Sequence, residues 1–152
     1  MPPLTFFAAA LECPNCGAVT KADTSTNMSS HLMSGPGEHI LRVGDRPDVN
    51  LGDFESAYLT IRLPEPGAAI HVLETWSCPA CGSGNWAEIV FHDGEVKSIE
   101  SVSLSQASLD RAHFISERVY EDFERLVGQS LWENNEVRPD FAQMLKARLP
   151  AA

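Results

Sequence analysis

Two copies of one short pattern, CPNCG at residues 13–17 and CPACG at residues 78–82, hold all four cysteines of this chain. A Cys-x-x-Cys turn aims two thiolates at one point. The glycine after the second cysteine enters the left-handed backbone region at little steric cost, which leaves room for backbone N–H groups beside the sulfurs. Together the two turns supply Cys13, Cys16, Cys78 and Cys81, the ligand set of a closed tetrahedral Zn(Cys)₄ site. Whatever else the chain does, its fold has to bring these two distant turns together around a structural Zn²⁺.

The repeated CPxCG form resembles the knuckles of the zinc-ribbon class, over the two knuckles and the strands beside them. The resemblance implies that Cys13, Cys16, Cys78 and Cys81 are all metal ligands and that the metal is structural. Residues 17–77 separate the pair, far more than the loop of a minimal ribbon. Either a sub-structure is inserted between the knuckles or the metal ties together distant parts of one sheet. The doubled CxxCG is also similar to that of small bacterial proteins, toxin-immunity proteins among them, in the cysteines alone. Iron in a rubredoxin-type site is the chief competitor for the same four thiolates, although rubredoxins are much smaller. A thioredoxin-like redox pair wants one CxxC opening a helix after a strand, whereas these turns sit between strands. A zinc deaminase needs H-x-E followed by P-C-x-x-C. Here Pro79 follows Cys78, the His71–Glu74 spacing is wrong, and four thiolates leave no open position for water.

The chain of 152 residues suits one domain with a buried core, and 43% hydrophobic and 8% aromatic residues fit a folded protein. Its formal net charge of −10 weighs against gripping a phosphate backbone, because its eleven Lys and Arg are scattered rather than gathered into a basic stripe. Such a balance favours attraction to a basic partner. The apolar run at residues 4–11 is short, has no Lys or Arg before it and leads directly into the first knuckle, so it does not read as a secretory leader. No stretch approaches the ~18 apolar residues of a membrane span. The expected location is cytoplasmic, where paired cysteines hold metal rather than form disulfides.

Residues 4–12 read as a strand delivering the first knuckle, with 19–21 as its return. Residues 22–38, rich in Ser, Thr, Asn, Gly and Pro, read as a long mobile loop that is either a passive insertion or, through Met28, Leu32 and Met33, a segment that folds against another protein. A short strand is expected at 39–43 and a turn-like stretch at 44–52. The alternating segment 57–63 reads as a strand, turned by 64–67 into its partner 69–76, which feeds the second knuckle. Strands at 86–92 and 95–104 form a hairpin around Asp93-Gly94, a type I′ signal. Beyond Ser105 the period changes to that of a helix. Residues 108–113 form a helical turn capped by Ser108. Ile115, Val119, Phe123 and Leu126 form one helical stripe ended by Gly128, and a second helix starts at Pro139 with Phe141, Met144, Leu145 and Leu149 inward. The fold class expected is α+β: an antiparallel sheet with a zinc-ribbon-like Cys₄ site over residues 1–104, then a helical unit over 105–152, in one domain of residues 1–152.

No catalytic set emerges. The five histidines form no ligand pair at helical or short-loop spacing, no G-x-S-x-G elbow is present, and the Gly35–Gly37 and Gly82–Gly84 stretches lack the length and lysine of a phosphate loop. His71 and His92 lie in adjacent expected strands, and with Glu74 they are the scattered residues from which an unheralded active site would be built. Trp76 and Trp86 flank the second knuckle and read as packing that shields the thiolates rather than as a platform for a base or peptide. Glu117, Glu121, Asp122 and Glu124 make the densest acidic surface. The function expected is a non-enzymatic, zinc-stabilised protein–protein interaction module, an immunity or adaptor protein for a basic protein partner. The alternative is a nucleic-acid-associated zinc-ribbon regulator, against which the charge argues.

Overall fold

The computed structural model describes residues 5–21, 28–29, 32, 39–47 and 49–152. Its centre is a five-stranded sheet in the order β3-β7-β4-β5-β6, formed by β3 (Leu59–Thr60), β4 (Ile70–Ser77), β5 (Gly84–His92), β6 (Glu95–Val102) and β7 (Phe114–Ile115). The expected hairpin is present. Asp93 and Gly94 both take positive φ, 51° and 77°, as a type I′ turn requires, and they join β5 to β6. A register shift between Val90 and Phe91 leaves Lys97 as the extra residue of β6. The fold class is α+β, with mixed rather than antiparallel pairing: β7 runs parallel to β4, and β1 (Thr5–Phe7) runs parallel to β2 (His39–Leu41).

That mixture corrects one expected pairing. Segment 57–63 was expected to fold back on 69–76, yet only Leu59 and Thr60 are strand, and they pair with β7. β7 lies between them and β4, with Val72 opposite Phe114 and Leu73 opposite Ile115. Helix α1 (Leu51–Ala57) occupies the start of the expected strand and part of the expected turn. Its boundary is set chemically: Asp53 N–H donates to Asn50 Oδ1 at 3.1 Å and Asn50 N–H donates to Asp53 Oδ2 at 2.7 Å, a reciprocal cap. Phe54 is the anchor of α1, packed edge-on against Phe91 at 5.0 Å and stacked on Phe114 at 5.6 Å.

Both faces of the central strands are covered, which explains why residues 85–89 are all buried, Asn85 and Glu88 included. On one face Val72, Trp76, Ile89, Phe91 and Ile99 meet Phe54 and the N-terminal Phe7 and Leu11. Met28 and Leu32 are buried in this same core, and the Phe7 N–H donates to the Met28 carbonyl at 2.9 Å. They therefore do not await another protein. Ser29 bridges Phe6, and the rest of the 22–38 loop, Met33 included, lies outside the described residues.

On the other face Leu73 and Trp86 meet the C-terminal helices α2 (Gln106–Arg111), α3 (Val119–Val127) and α4 (Phe141–Lys146) through Leu109, Val119, Phe123, Phe141 and Leu145. Ser105, not Ser108, caps α2; Ser108 sits three residues later and completes the reciprocal cap. Ile115 belongs to β7 rather than to the α3 stripe, and Gly128 ends α3 at φ 77° as expected. Phe141, Leu145 and Leu149 are buried and Met144 is half-buried, as the α4 pattern required. Trp132, in a short hairpin of β8 (Trp132–Glu133) and β9 (Glu136–Val137), is exposed. Among the described residues no helix is long and apolar enough to cross a membrane.

Candidate metal centre

The two knuckles are built alike. In the first, Cys13 N–H donates to Ala18 O and Gly17 N–H to Cys13 O, both at 2.8 Å. In the second, Cys78 N–H donates to Ser83 O at 3.0 Å and Gly82 N–H to Cys78 O at 2.8 Å. Gly17 and Gly82 sit at φ 77° and 75°, the left-handed conformation the sequence predicts and one that a side chain would strain. These turns present the four sulfurs to one another. Cys13 Sγ lies 3.7 Å from Cys81 Sγ, Cys16 Sγ lies 3.6 Å from Cys78 Sγ, and all four fall within 4.8 Å of one another. A tetrahedron with ~2.3 Å metal–sulfur bonds has edges of about 3.8 Å, so the cluster is sized for such an ion. The same spacings are far beyond the ~2.05 Å of a disulfide, and the four cysteines are free. The thiol set therefore fits a bound metal ion.

Polar neighbours make the site ready for thiolates. Ser83 Oγ lies 3.2 Å from both Cys13 and Cys81, and Asn15 Nδ2 donates to Cys81 at 3.5 Å. The Asn15 side chain and then Ser83 draw Cys81 down to about 5. The Ser83 hydroxyl, against the opposing effect of burial, draws Cys13 down to about 7, with the Cys16 and Asn15 N–H groups contributing. Cys16 receives the Ala18 N–H, which lowers it, yet the neighbouring Cys78 thiol, burial and the other two sulfurs push it up to about 12. A cation at the centre removes that conflict by neutralising the crowded sulfurs. Cys13 and Cys78 are buried while Cys16 and Cys81 reach the surface, so the cluster sits at the rim of the core. Beneath it Trp76 is 1% exposed and its Nε1–H donates to the Trp86 carbonyl at 3.1 Å. Trp86 in turn donates to Asp122 at 3.2 Å. Both indoles are packing, as expected.

The scattered His71, His92 and Glu74 are not brought together. His92 is at the end of β5, with Nε2 3.2 Å from the Gly67 carbonyl. Glu74 is buried on the opposite face of β4 from His71, beside Tyr58, whose hydroxyl burial and then Glu74 hold well above its ordinary range. A different set assembles instead. Glu88 accepts from Arg111 Nε at 3.1 Å and meets His71 Nδ1 at 3.1 Å, while His71 N–H donates to His113 Nδ1 at 3.0 Å. The alternation of β4 and β5 gave a signal for the His71–Glu88 diagonal. No local pattern announced Arg111 or His113. With the Arg111 guanidinium and the His71 ring as partners, the 8%-exposed Glu88 is satisfied where a lone buried carboxylate would not be. His31 lies outside the described residues.

The acidic surface is less uniform than the sequence implied. Glu117 precedes α3, Asp122 is half-buried and bonded to Trp86 and Arg125, and the exposed Arg118 and Arg125 alternate with Glu121 and Glu124. Compared with known proteins, the chain matches no family model, no curated protein and no solved structure.

Proposed function

We propose that this chain is a non-enzymatic protein–protein interaction module, stapled by one structural Zn²⁺ on Cys13, Cys16, Cys78 and Cys81, with a basic protein as its partner. The observation that carries this reading is the closed thiol cluster: four sulfurs within 4.8 Å fill a tetrahedral shell and leave no position for a substrate or an activated water. Cysteine thiolates in a set of four select zinc over harder divalent ions, and the likeness of the knuckles to zinc ribbons points the same way. The formal net charge of −10 supplies the attraction to a basic partner and repels phosphate backbones. An immunity or adaptor role in the cytoplasm suits these properties. The test is affinity purification of the tagged protein from its own cells, with metal measured on the same sample. The expected result is about one zinc per chain and a stoichiometric basic protein whose affinity falls as salt rises. Zinc with nucleic acid alone, held with a steep salt slope, would overturn this reading in favour of a ribbon-type regulator.

A further inference from the structure

The edge of the five-stranded sheet at β6 faces the N-terminal segment across a cleft. The cleft has a volume of about 410 Å³ and is lined on one side by Ala10, Glu12 and Pro14 and on the other by residues 99–103. Its closed end shows what belongs in such a gap. There the chain leaving β2 sits between the two walls: Ala8 N–H donates to Leu41 O at 2.9 Å, Gly44 N–H to Val96 O at 2.8 Å and Val96 N–H to Asp45 O at 2.8 Å. At the turn after β2 the chain departs, and the strand position continues without it.

Among the described residues, both walls of the continuing gap present backbone groups without a backbone partner. In the N-terminal segment the odd residues turn to the other side, with Phe7 N–H on Met28, Leu11 N–H on Thr20 Oγ1 and Thr20 N–H on Leu11 O. The even residues Ala8, Ala10 and Glu12 turn toward β2 and the gap. Along the sheet, the His71 and Leu73 carbonyls accept from His113 and Ser116 at the two ends of β7, so in alternation Glu88 and Val90 turn their backbone to Glu100 and Ser98. Ile99 and Ser101 therefore face outward, into the gap. Among the described residues no backbone group pairs with Ala10, Glu12, Ile99 or Ser101 across it. Ala8 and Val96 share the closed end and residues 14 and 103 the open one, so the walls run in the same sense. One inserted strand is antiparallel to both or parallel to both.

The side chains specify what enters. Ile99, Leu11 and Ala9 belong to the core face, so alternate residues of an inserted strand meet an apolar floor. Glu12 and Glu100 are exposed on the outer side, and none of the lining residues is basic. We infer that the gap between residues 10–12 and 99–101 is a docking slot for an extended basic segment of a partner protein, which completes the sheet as an added strand with small apolar residues inward and Lys or Arg outward. This rests on the reading of the chain as a protein-binding module. Because Glu12 and Pro14 flank Cys13, the metal centre holds one wall of the slot in place.

The probe is a fluorescent decapeptide of alternating Lys and Val, titrated into the metal-loaded full chain by anisotropy and by amide NMR. Saturable binding is expected, with the largest amide shifts at Ala10, Glu12, Ile99 and Ser101. An alternating Glu–Val peptide and an N-methylated Lys–Val peptide should each bind at least about tenfold more weakly, the first having lost charge complementarity and the second its donors. Ser101→Pro removes an outward N–H at an edge where proline is tolerated, and it should cost a similar factor. The surface pair Glu12→Lys/Glu100→Lys makes the same demand without touching the backbone. No binding of the Lys–Val peptide, shifts clustered elsewhere, or unchanged affinity in both variants would overturn the slot. A concentration-dependent dimer abolished by Ser101→Pro would place a second copy there and overturn a foreign occupant. Capture of the same basic partner by wild type and Ser101→Pro with equal affinity would sink the slot alone, whereas a wild type that retains no protein would sink the module reading.

Discussion

Stripping the metal should cost the protein several kcal/mol, and the loss should be local. The centre joins Cys16 to Cys78 and so closes a loop over residues 17–77. Treated as a chain cross-link, a closure of that length removes about 4 kcal/mol of denatured-state entropy. Ligand-bond energy adds to this, since structural zinc contributes ~10–16 kcal/mol to small thiolate domains, so about 4 kcal/mol is the lower bound. With a urea slope of ~2 kcal/mol/M, the midpoint of the chelated protein should fall by at least about 2 M. Hydrogen exchange locates the damage. Leu11, Cys13, Cys78 and Asn85, whose backbones or side chains meet at the knuckles, should lose protection first. The interiors of α3 and α4 pack on the other sheet face and should keep theirs. Cys78→Ser should reproduce the effect and exceed His71→Ala, because His71 is a half-exposed partner of Glu88 rather than a ligand. A midpoint that moves by less than about 0.3 M, equal losses in the two variants, or exchange that quickens equally in α3 would refute the cross-link reasoning.

Four further outcomes follow from named contacts. Phe54→Ala deletes a 2%-exposed ring from between Phe91 and Phe114 and should cost about 3–5 kcal/mol in denaturant unfolding; a loss under about 1 kcal/mol would mean α1 is not docked there. Asn50→Ala removes one half of the α1 cap and should cost about 1 kcal/mol, which the same assay resolves. His113 is held below its ordinary 6.5 by burial first and then by His71 and Arg62, so the unfolded chain takes up the proton before the folded one. Stability should accordingly fall as pH drops through about 6.5 toward the lowered folded value, and His113→Asn, which keeps an acceptor for the His71 N–H, should flatten that part of the profile. Metal binding at pH 7 should release fewer than four protons, because Cys81, at about 5, is already ionised; calorimetry in buffers of different ionisation enthalpy counts them.

Legibility in the sequence followed the range of the interactions. The knuckles were readable because their geometry is local: five residues and one left-handed glycine define each, and the pairing of two equal half-sites is chemically forced. The β5–β6 hairpin was readable for the same reason, through Asp93-Gly94. The partner of β4 was not, because β7 is two residues long and arrives after α2. Its Ile115 looks like the start of the α3 stripe, lying four residues before Val119 and eight before Phe123 as a helix would space them. Helix α1 left one faint signal, Asn50 followed three residues later by Asp53. A seven-residue helix with Gly52 inside and Phe54 as its one buried residue carries almost no period. The burial of Met28 and Leu32 was hidden by the polar residues around them. Composition speaks for a segment as a whole, whereas two side chains are enough to pin it to a core.

The placement of the metal centre acquires its sense from the sheet. An ordinary hairpin could have carried four cysteines over a short loop. Here one knuckle closes the β4–β5 turn and the other ends the N-terminal segment, so an ion held by both would tie the N-terminal wall to the strand next to β6. Among the described residues, the backbone tie across the gap is the stretch leaving β2, at Ala8 and Val96. Without the metal, residues 10–14 would be held by the Thr20 arm and the burial of Leu11, with no backbone hydrogen bond among the described residues to fix their distance from β6. A cross-link that holds a sheet open by one strand stabilises the empty form in the geometry of the filled one. This lowers the ordering cost of adding the strand. The coupling is reciprocal: chelation should weaken the Lys–Val peptide, and bound peptide should slow metal loss to a chelator by the corresponding stabilisation. Unchanged metal release in saturating peptide would mean that the knuckles and the slot are neighbours without being linked.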